Sequence, residues 1–310
     1  MEYRKLGKTG IRVSKISYGA SSLGGVFHPI NKKEGIHTVH AAIDHGINLI
    51  DCSPYYGDLV AEKTLGLALK DIPRDKYFLS TKVGRYWKGP AKIWDYGAKK
   101  IVNSVEQSLH NMHVDYVDFI HCHDIEFADK EQIIYESLPA LHQLKESGKV
   151  RYVGLTGLPL DNFIYIIDRV QPGIVEVILS FCHYSLNDDS LMDLINYMKI
   201  NKVGIINASP LSMGLLTRRG VPDWHPAGSD IVNTCKKAAD YCEKQGEKIE
   251  KLAIQFATQH PDIPTTLVGT ANPETIVQNI KWAEEPMNKI LLNEVLNILK
   301  PIHRKTWKNS

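Results

Sequence analysis

Three apolar runs, NLID (48–51), YFLSTK (77–82) and DFIHCH (118–123), each end on a polar side chain: Asp51, Lys82 and His123. A fourth polar residue, Tyr56, follows the first run by a few positions. Apolar runs of this length suit short strands covered on both faces. An acid, an amine, a phenol and an imidazole at or just past strand exits predict one assembled site.

Working outward, eight β-rich runs recur: KISYGA (15–20), INLIDC (47–52), YFLSTKV (77–83), VDFIHC (117–122), RYVGLT (151–156), VEVILSF (175–181), VGIINAS (203–209) and TTLVGT (265–270). Helical spacing fills the gaps, at 34–45, 60–70, 98–112, 130–147, 159–169, 188–200, 229–246, 249–259 and 272–284. Eight strand–helix repeats predict an α/β protein, a (β/α)8 TIM barrel in one domain over 1–310. The opening YRKLGKTGIRVS reads as a β-hairpin around Lys8-Thr9-Gly10 that caps the N-terminal end of the barrel. A C-terminal helix is expected near 290–304. An open doubly wound sheet would carry GxGxxG after its first strand, and Gly19-Ala20-Ser21-Ser22-Leu23-Gly24-Gly25 does not fit.

Composition narrows the function. The chain has 310 residues, 43% apolar and 23% charged, with a formal charge of +2. So balanced a charge predicts no nucleic-acid or membrane partner. The basic tail (His303, Arg304, Lys305, Lys308) reads as a solvated end. No run approaches a membrane span, and MEYRKLGKTG lacks the apolar core of a signal peptide, so a cytoplasmic location is expected. Five cysteines, Cys52, Cys122, Cys182, Cys235 and Cys242, predict reduced and mostly buried thiols. His121 and His123 share a strand face that Cys122 cannot join, so no metal site is expected.

The four polar residues suggest proton chemistry. A free phenol titrates near ~10, and an adjacent ammonium favours phenolate. Lys82 can supply that charge, and Asp51 can hold Lys82. Tyr56 then exchanges a proton with a substrate oxygen that His123 orients. Singly, each has a plainer role: a cap, a half-buried aromatic, a strand-end lysine, an interior histidine. A barrel aldolase with Lys82 as Schiff base is a competing reading, but it leaves Asp51 and Tyr56 without a purpose.

The chain resembles the aldo-keto reductases along nearly its whole length. The matching segments are Asp51-Cys52-Ser53-Pro54-Tyr55-Tyr56-Gly57, Ser80-Thr81-Lys82-Val83-Gly84, Asp115-Tyr116-Val117-Asp118 followed by His123, and Ser209-Pro210-Leu211 with Gly214-Leu215-Leu216-Thr217. Within the family it is most similar to a plant sugar-dehydrogenase group, through His121-Cys122-His123-Asp124-Ile125-Glu126-Phe127, Thr156-Gly157-Leu158-Pro159-Leu160, Cys182-His183-Tyr184 and Trp224-His225-Pro226-Ala227. The resemblance implies a nicotinamide dinucleotide bound in extended form. Pyrophosphate contacts then fall at Ser209, Leu211, Gly214 and Leu215, and the adenosine end at Gly269, Thr270, Thr275, Gln278 and Asn279. NADP-dependent relatives carry Lys and Arg where this chain has Gly269 and Thr275, and no Lys or Arg lies between Leu267 and Ile280. NAD is therefore expected ahead of NADP. Four positions depart from the family pattern: Thr156-Gly157 replaces Ser-Asn, Ser180 replaces Gln, and Ala208 replaces the aromatic that covers the nicotinamide.

The rim loops supply substrate candidates: His28, Tyr55, Trp87 (with Tyr86 beside it), Asp124, His183, Trp224 and His225. Aromatic faces with hydrogen-bonding edges suit a sugar. The expected reaction is NAD-dependent oxidation of an aldose at C1 to the lactone, with L-galactose first and L-fucose or D-arabinose next. The chain is expected to act as a monomer or small homo-oligomer. The alternatives are an NADPH-dependent carbonyl/aldehyde reductase and a non-catalytic nucleotide-binding regulatory subunit.

Overall fold

Alternation along the strands decides what the barrel holds. The computed structural model describes residues 1–307; Lys308 of the basic tail lies outside the described residues. The strands are β1 (Tyr3–Lys5), β2 (Arg12–Ser14), β3 (Ile16–Gly19), β4 (Leu49–Asp51), β5 (Phe78–Val83), β6 (Arg85–Lys88), β7 (Ala91–Trp94), β8 (Val117–Cys122), β9 (Val150–Gly157), β10 (Val177–Phe181), β11 (Gly204–Ala208) and β12 (Thr265–Val268). Eight of them, β3-β4-β5-β8-β9-β10-β11-β12, form a closed barrel in which each pairs parallel with the next and β12 closes onto β3. Every second residue faces the interior. Leu49, Phe119, Val177, Leu179, Ile206 and Leu267 fill its lower layers. Asp51, Ser80, Lys82, His121 and His123 are buried polar groups of the lumen, and Ser17, Thr265 and Thr156 add further buried polar side chains at inward positions.

The outward residues pack against the helices. These are α1 (Lys32–Asp44), α2 (Val60–Leu69), α3 (Ala98–Met112), α4 (Lys130–Gln132), α5 (Leu138–Glu146), α6 (Asp161–Ile167), α7 (Ile195–Asn201), α8 (Ser229–Lys244), α9 (Ile249–Gln259), α10 (Pro273–Glu284) and α11 (Lys289–Leu299). The 98–112 and 249–259 spans match the sequence expectation. The expected helix over 130–147 carries a π-turn at Ile133–Ser137 between α4 and α5. The 188–200 helix begins as a 3-10 turn over Ser190–Leu194. No described helix is long and apolar enough to cross a membrane.

Two additions to the barrel shape its ends. The β1–β2 hairpin closes the bottom, with Leu6, Ile11 and Val13 in the interior cluster. Gly7 has φ +52° there, and a Cβ would fall 2.4 Å from the Gly204 nitrogen, so only glycine permits this approach. At the top, β6 and β7 form a hairpin turning at Gly89-Pro90. The sequence places this segment in a rim loop; in the structure Arg85-Tyr86-Trp87-Lys88 and Ala91-Lys92-Ile93-Trp94 pair across the Gly-Pro turn.

The basic residues of the tail, His303, Arg304 and Lys305, are exposed, as expected, and they also form ion pairs across the surface. Arg304 pairs with Asp189 at 2.6 Å and Asp193 at 2.9 Å, and Lys305 with Asp230 at 3.0 Å. All five cysteines are free and buried.

Leu6 is fully buried under the barrel. Leu6→Ala should lower unfolding free energy by about 2–5 kcal/mol in urea melts, whereas Lys5→Ala, on the exposed side of the same hairpin, should change it little.

Candidate active site

Lys82 sits one residue before the end of β5, with Ser80 two residues back on the same inward face. Its ammonium donates to Asp51 Oδ2 at 2.5 Å, the Cys52 carbonyl at 2.7 Å and the Tyr56 hydroxyl at 3.2 Å. An ammonium has three protons, and these three acceptors use them all. Tyr56 oxygen therefore accepts from Lys82, which leaves its own proton directed elsewhere. Ser80 Oγ donates to the other Asp51 oxygen at 2.7 Å and lies 3.3 Å from His121 Nδ1. The sequence reading missed Ser80. Its signal was the two-residue spacing from Lys82, which puts both on one strand face.

Burial dominates the electrostatics. For Lys82, burial works to lower the pKa, but the Asp51 carboxylate and the Tyr56 oxygen together outweigh it and hold the ammonium charged, above the usual lysine range. A Schiff-base lysine needs the opposite shift. Burial pushes the Tyr56 phenol up to about 12, against the pull of Lys82. This corrects the expectation that the ammonium would lower the phenol: it limits the rise and does not reverse it. His123 is held neutral, first by burial and then by the charge of Lys82. His121, one layer below, falls to about 3 for the same two reasons.

Backbone contacts aim Tyr56. The Ser53–Leu59 turn closes with Tyr56 N–H on the Ser53 carbonyl at 3.1 Å and Leu59 N–H on Pro54 at 2.9 Å. Gly24 from the first loop packs directly on this turn: a Cβ there would lie 2.5 Å from the Tyr56 carbonyl. The His123 ring stands perpendicular to Tyr56, with centroids 5.9 Å apart. The Tyr96 hydroxyl lies 2.5 Å from the His123 carbonyl and 2.9 Å from that of Asp124, which has φ +50°. Ser137, at the π-turn, donates to the Tyr96 carbonyl at 2.7 Å. Neither Tyr96 nor Ser137 carries a motif that sequence reading could use.

A cleft of about 1430 Å³ opens over the four residues. Asp51, Tyr56, Lys82 and His123 line it, as do the expected substrate residues His28, Tyr55, Trp87, Asp124 and Trp224. So do Thr156, Ser209, Leu211, Gly214, Gly269, Thr270, Thr275, Gln278 and Asn279 of the expected cofactor set. Other residues expected at the site do not reach its wall. Ser180 and Gly157 fall on outward strand positions, in phase with Ile178 and Leu155 of the layer under the helices. Phe181, one residue on, faces the cleft and pairs in register with Ala208. Leu215 is buried in the cluster with α8 and α9. His183 Nδ1 is engaged by Ser190 Oγ at 2.9 Å and Asp188 at 3.2 Å. His225 bridges the Ser212 carbonyl and the Ala227 N–H, each at 3.1 Å, and so braces its own loop.

The substrate side is preassembled. The Tyr55 ring carries the Arg85 guanidinium 4.0 Å from its centroid and stacks on Trp87 at 5.3 Å and 2°. Arg85 is also ion-paired with Asp124, so one oxygen of Asp124 is taken within the protein. Trp87 is fixed by its indole N–H, which donates to the Tyr55 carbonyl at 2.8 Å. Arg85, absent from the sequence-derived site, organises this corner.

A dinucleotide fits the rest of the cleft. Ser209, Ser212, Met213 and Gly214 all have positive φ (58°, 46°, 54° and 113°), which curls the backbone tightly after β11; the N–H groups of Ser212, Gly214 and Leu215 bond the carbonyls of Ser209, Leu211 and Ser212 within the turn. The cations Arg219 and Lys248 line the same wall. Asn272 caps α10 by accepting from the Thr275 N–H at 2.8 Å, and Tyr18 pins the neighbouring Thr270 carbonyl at 2.7 Å.

Removing one half of a buried ion pair costs about 3–5 kcal/mol. Asp51→Ala should therefore destabilise strongly in denaturant melts, and Asp51→Ala/Lys82→Met should recover much of the loss.

The comparisons with known proteins agree with this geometry. Residues 15–299 match the Aldo/keto reductase family. The chain is 45% identical to an L-galactose dehydrogenase of Arabidopsis thaliana, over 99% of this chain and 97% of that one. It is 32% identical to a D-arabinose 1-dehydrogenase of Saccharomyces cerevisiae, over 70% of this chain and 66% of that one. The fold superposes on the holo form of an aldo-keto reductase from Bacillus halodurans with a TM-score of 0.81 at 22% identity, covering 100% and 99% of the two chains. On the family match and the full-length relative, this chain belongs to the aldo/keto reductase family and is an oxidoreductase.

Proposed function

We propose that the protein oxidises an aldose at C1 to its lactone with NAD, with L-galactose as leading substrate and L-fucose and D-arabinose next. The observation that carries this reading is the proton arrangement at Tyr56. Its oxygen accepts from a fully committed ammonium, a donor that stabilises the phenolate needed to take the C1 hydroxyl proton. The sugar assignment draws on the two aldose-dehydrogenase relatives and on the aromatic wall of Trp87 and Trp224.

The nicotinamide cofactor of the family supplies a hydride acceptor. Ser209, Leu211 and Gly214, with Arg219 and Lys248, would hold its diphosphate; Gly269, Thr270, Gln278 and Asn279 would hold the adenosine end. Thr156 and Phe181, facing the catalytic end, would contact the nicotinamide; Phe181 stands beside Ala208, where an aromatic was missing. The outer face of Trp87 offers a platform for the apolar face of the sugar. His123 orients the C1 oxygen. Tyr56 accepts its proton in oxidation and returns one in carbonyl reduction. Lys82 stabilises the phenolate form by direct donation, and Asp51 keeps Lys82 charged and placed.

NAD is favoured because the 267–280 stretch lacks a cation, and Glu274 adds a carboxylate at that rim. Arg219 and Lys248 favour a second reading, NADPH-dependent carbonyl reduction, if either reaches a 2′-phosphate.

NADH formation followed at 340 nm with L-galactose, L-fucose, D-arabinose and D-galactose tests the proposal. Turnover with NAD should exceed that with NADP by about tenfold or more in kcat/KM. Tyr56→Phe should lower kcat by about 10²–10⁴. A preference for NADP that disappears in Arg219→Ala or Lys248→Ala, with simple aldehydes reduced and sugars untouched, would select the second reading.

The phenol, pushed up to about 12, is protonated at neutral pH. Sugar oxidation needs the deprotonated form and should rise from pH 7 to pH 10. Carbonyl reduction uses the protonated form and should not rise over that range.

A further inference from the structure

His123 can orient a substrate oxygen only if the nitrogen facing that oxygen carries the proton. A neutral imidazole has one N–H, and which nitrogen holds it depends on the partner of the other. Ser53, fully buried in the turn before Tyr56, places its Oγ 3.1 Å from His123 Nδ1. The same Oγ accepts from the Tyr55 backbone N–H at 3.2 Å. A backbone N–H can only donate, so that contact uses the serine as acceptor and leaves its hydroxyl proton to be placed. Among the described residues, His123 Nδ1 is the acceptor within its reach. Were Nδ1 protonated, it would face the hydroxyl donor to donor, and the serine proton would be buried without a partner. On the other side of the ring, Nε2 lies 3.7 Å from Asp124 Oδ1, an acceptor that also favours a proton on Nε2. Asp124 is itself held by Arg85 and by the Tyr96 clamp on its carbonyl.

We infer that Ser53 is a positioning residue that donates to His123 Nδ1 and thereby locks the imidazole as its Nε2–H tautomer, so that Nε2–H is the donor to the substrate oxygen. The tautomer stands on the hydrogen bonds alone. Its consequence for catalysis rests on the sugar-oxidation reading above. In that reaction the C1 oxygen gives its proton to Tyr56 and gains double-bond character as hydride leaves C1. An Nε2–H donor holds that oxygen in line, whereas the other tautomer would present a lone pair to it.

Long-range ¹H–¹⁵N spectra of protein labelled on histidine nitrogen read the tautomer directly, with the His123 signals identified by their loss in His123→Asn. In the unsubstituted protein, His123 should show an unprotonated Nδ1 and a protonated Nε2. Ser53→Ala should shift this to a mixture or to Nδ1–H, and lower kcat by about fivefold, the scale of one neutral hydrogen bond, with KM changed less. Ser53→Thr, which restores the hydroxyl, should recover both readouts. Ser53→Cys, with a weaker donor of similar size, should lie between and serves where Ser53→Ala does not fold. A protonated Nδ1 in the unsubstituted protein would overturn the inference, and so would an unchanged Nε2–H tautomer in Ser53→Ala. Since the spectra need no substrate, the expected tautomer together with no sugar turnover would count against the sugar reading and leave the Ser53 assignment standing.

Discussion

The site depends on one buried ion pair. Asp51 and Lys82 stand on adjacent strands inside the buried lumen, where either charge alone would be costly. The pair survives because every polar valence is met: Ser80 donates to the second Asp51 oxygen, and Cys52 and Tyr56 take the remaining Lys82 protons. The group that completes the ammonium's hydrogen bonds is thus the phenol of Tyr56, the proposed acid/base. Stability and chemistry share the same three contacts, so neither lysine nor tyrosine can be altered without disturbing both.

Around that pair, the rim is braced by contacts made within the protein. Tyr96, anchored at the π-turn through Ser137, holds the carbonyls of His123 and Asp124. Arg85 ties Asp124 to Tyr55, and Tyr55 in turn supports Trp87. Gly24 and Gly57 let the first loop lie against the Tyr56 turn, since a Cβ at Gly57 would fall 2.2 Å from the Gly24 carbonyl oxygen. A cleft built this way has little to rearrange before a ligand enters, which reduces the ordering cost of binding.

The barrel and its four central residues were legible because they follow local rules. Buried parallel strands read as short apolar runs, and strand ends at one rim collect functional groups. The β6–β7 hairpin was legible in principle through its Gly-Pro turn, but the aromatic residues there read as loop packing. Ser180 was misplaced for a different reason. A strand's two faces alternate, and the phase of β10 is set by which residues the neighbouring strands and helices cover. The basic tail is exposed as its charges suggest, but its ion pairs were not legible because the partners, Asp189, Asp193 and Asp230, are distant in sequence.

By itself the sequence determined the eight-fold alternation, the identity of the acid, base, amine and imidazole, and the absence of a cation between Leu267 and Ile280. These follow from residue type and short-range spacing. Only the tertiary structure decided that burial outweighs Lys82 in setting the Tyr56 proton, that His183 and His225 turn away from the cleft, and that Ser53 meets His123. Each of these depends on which groups surround a side chain, and those groups come from loops and strands that meet only when the barrel closes.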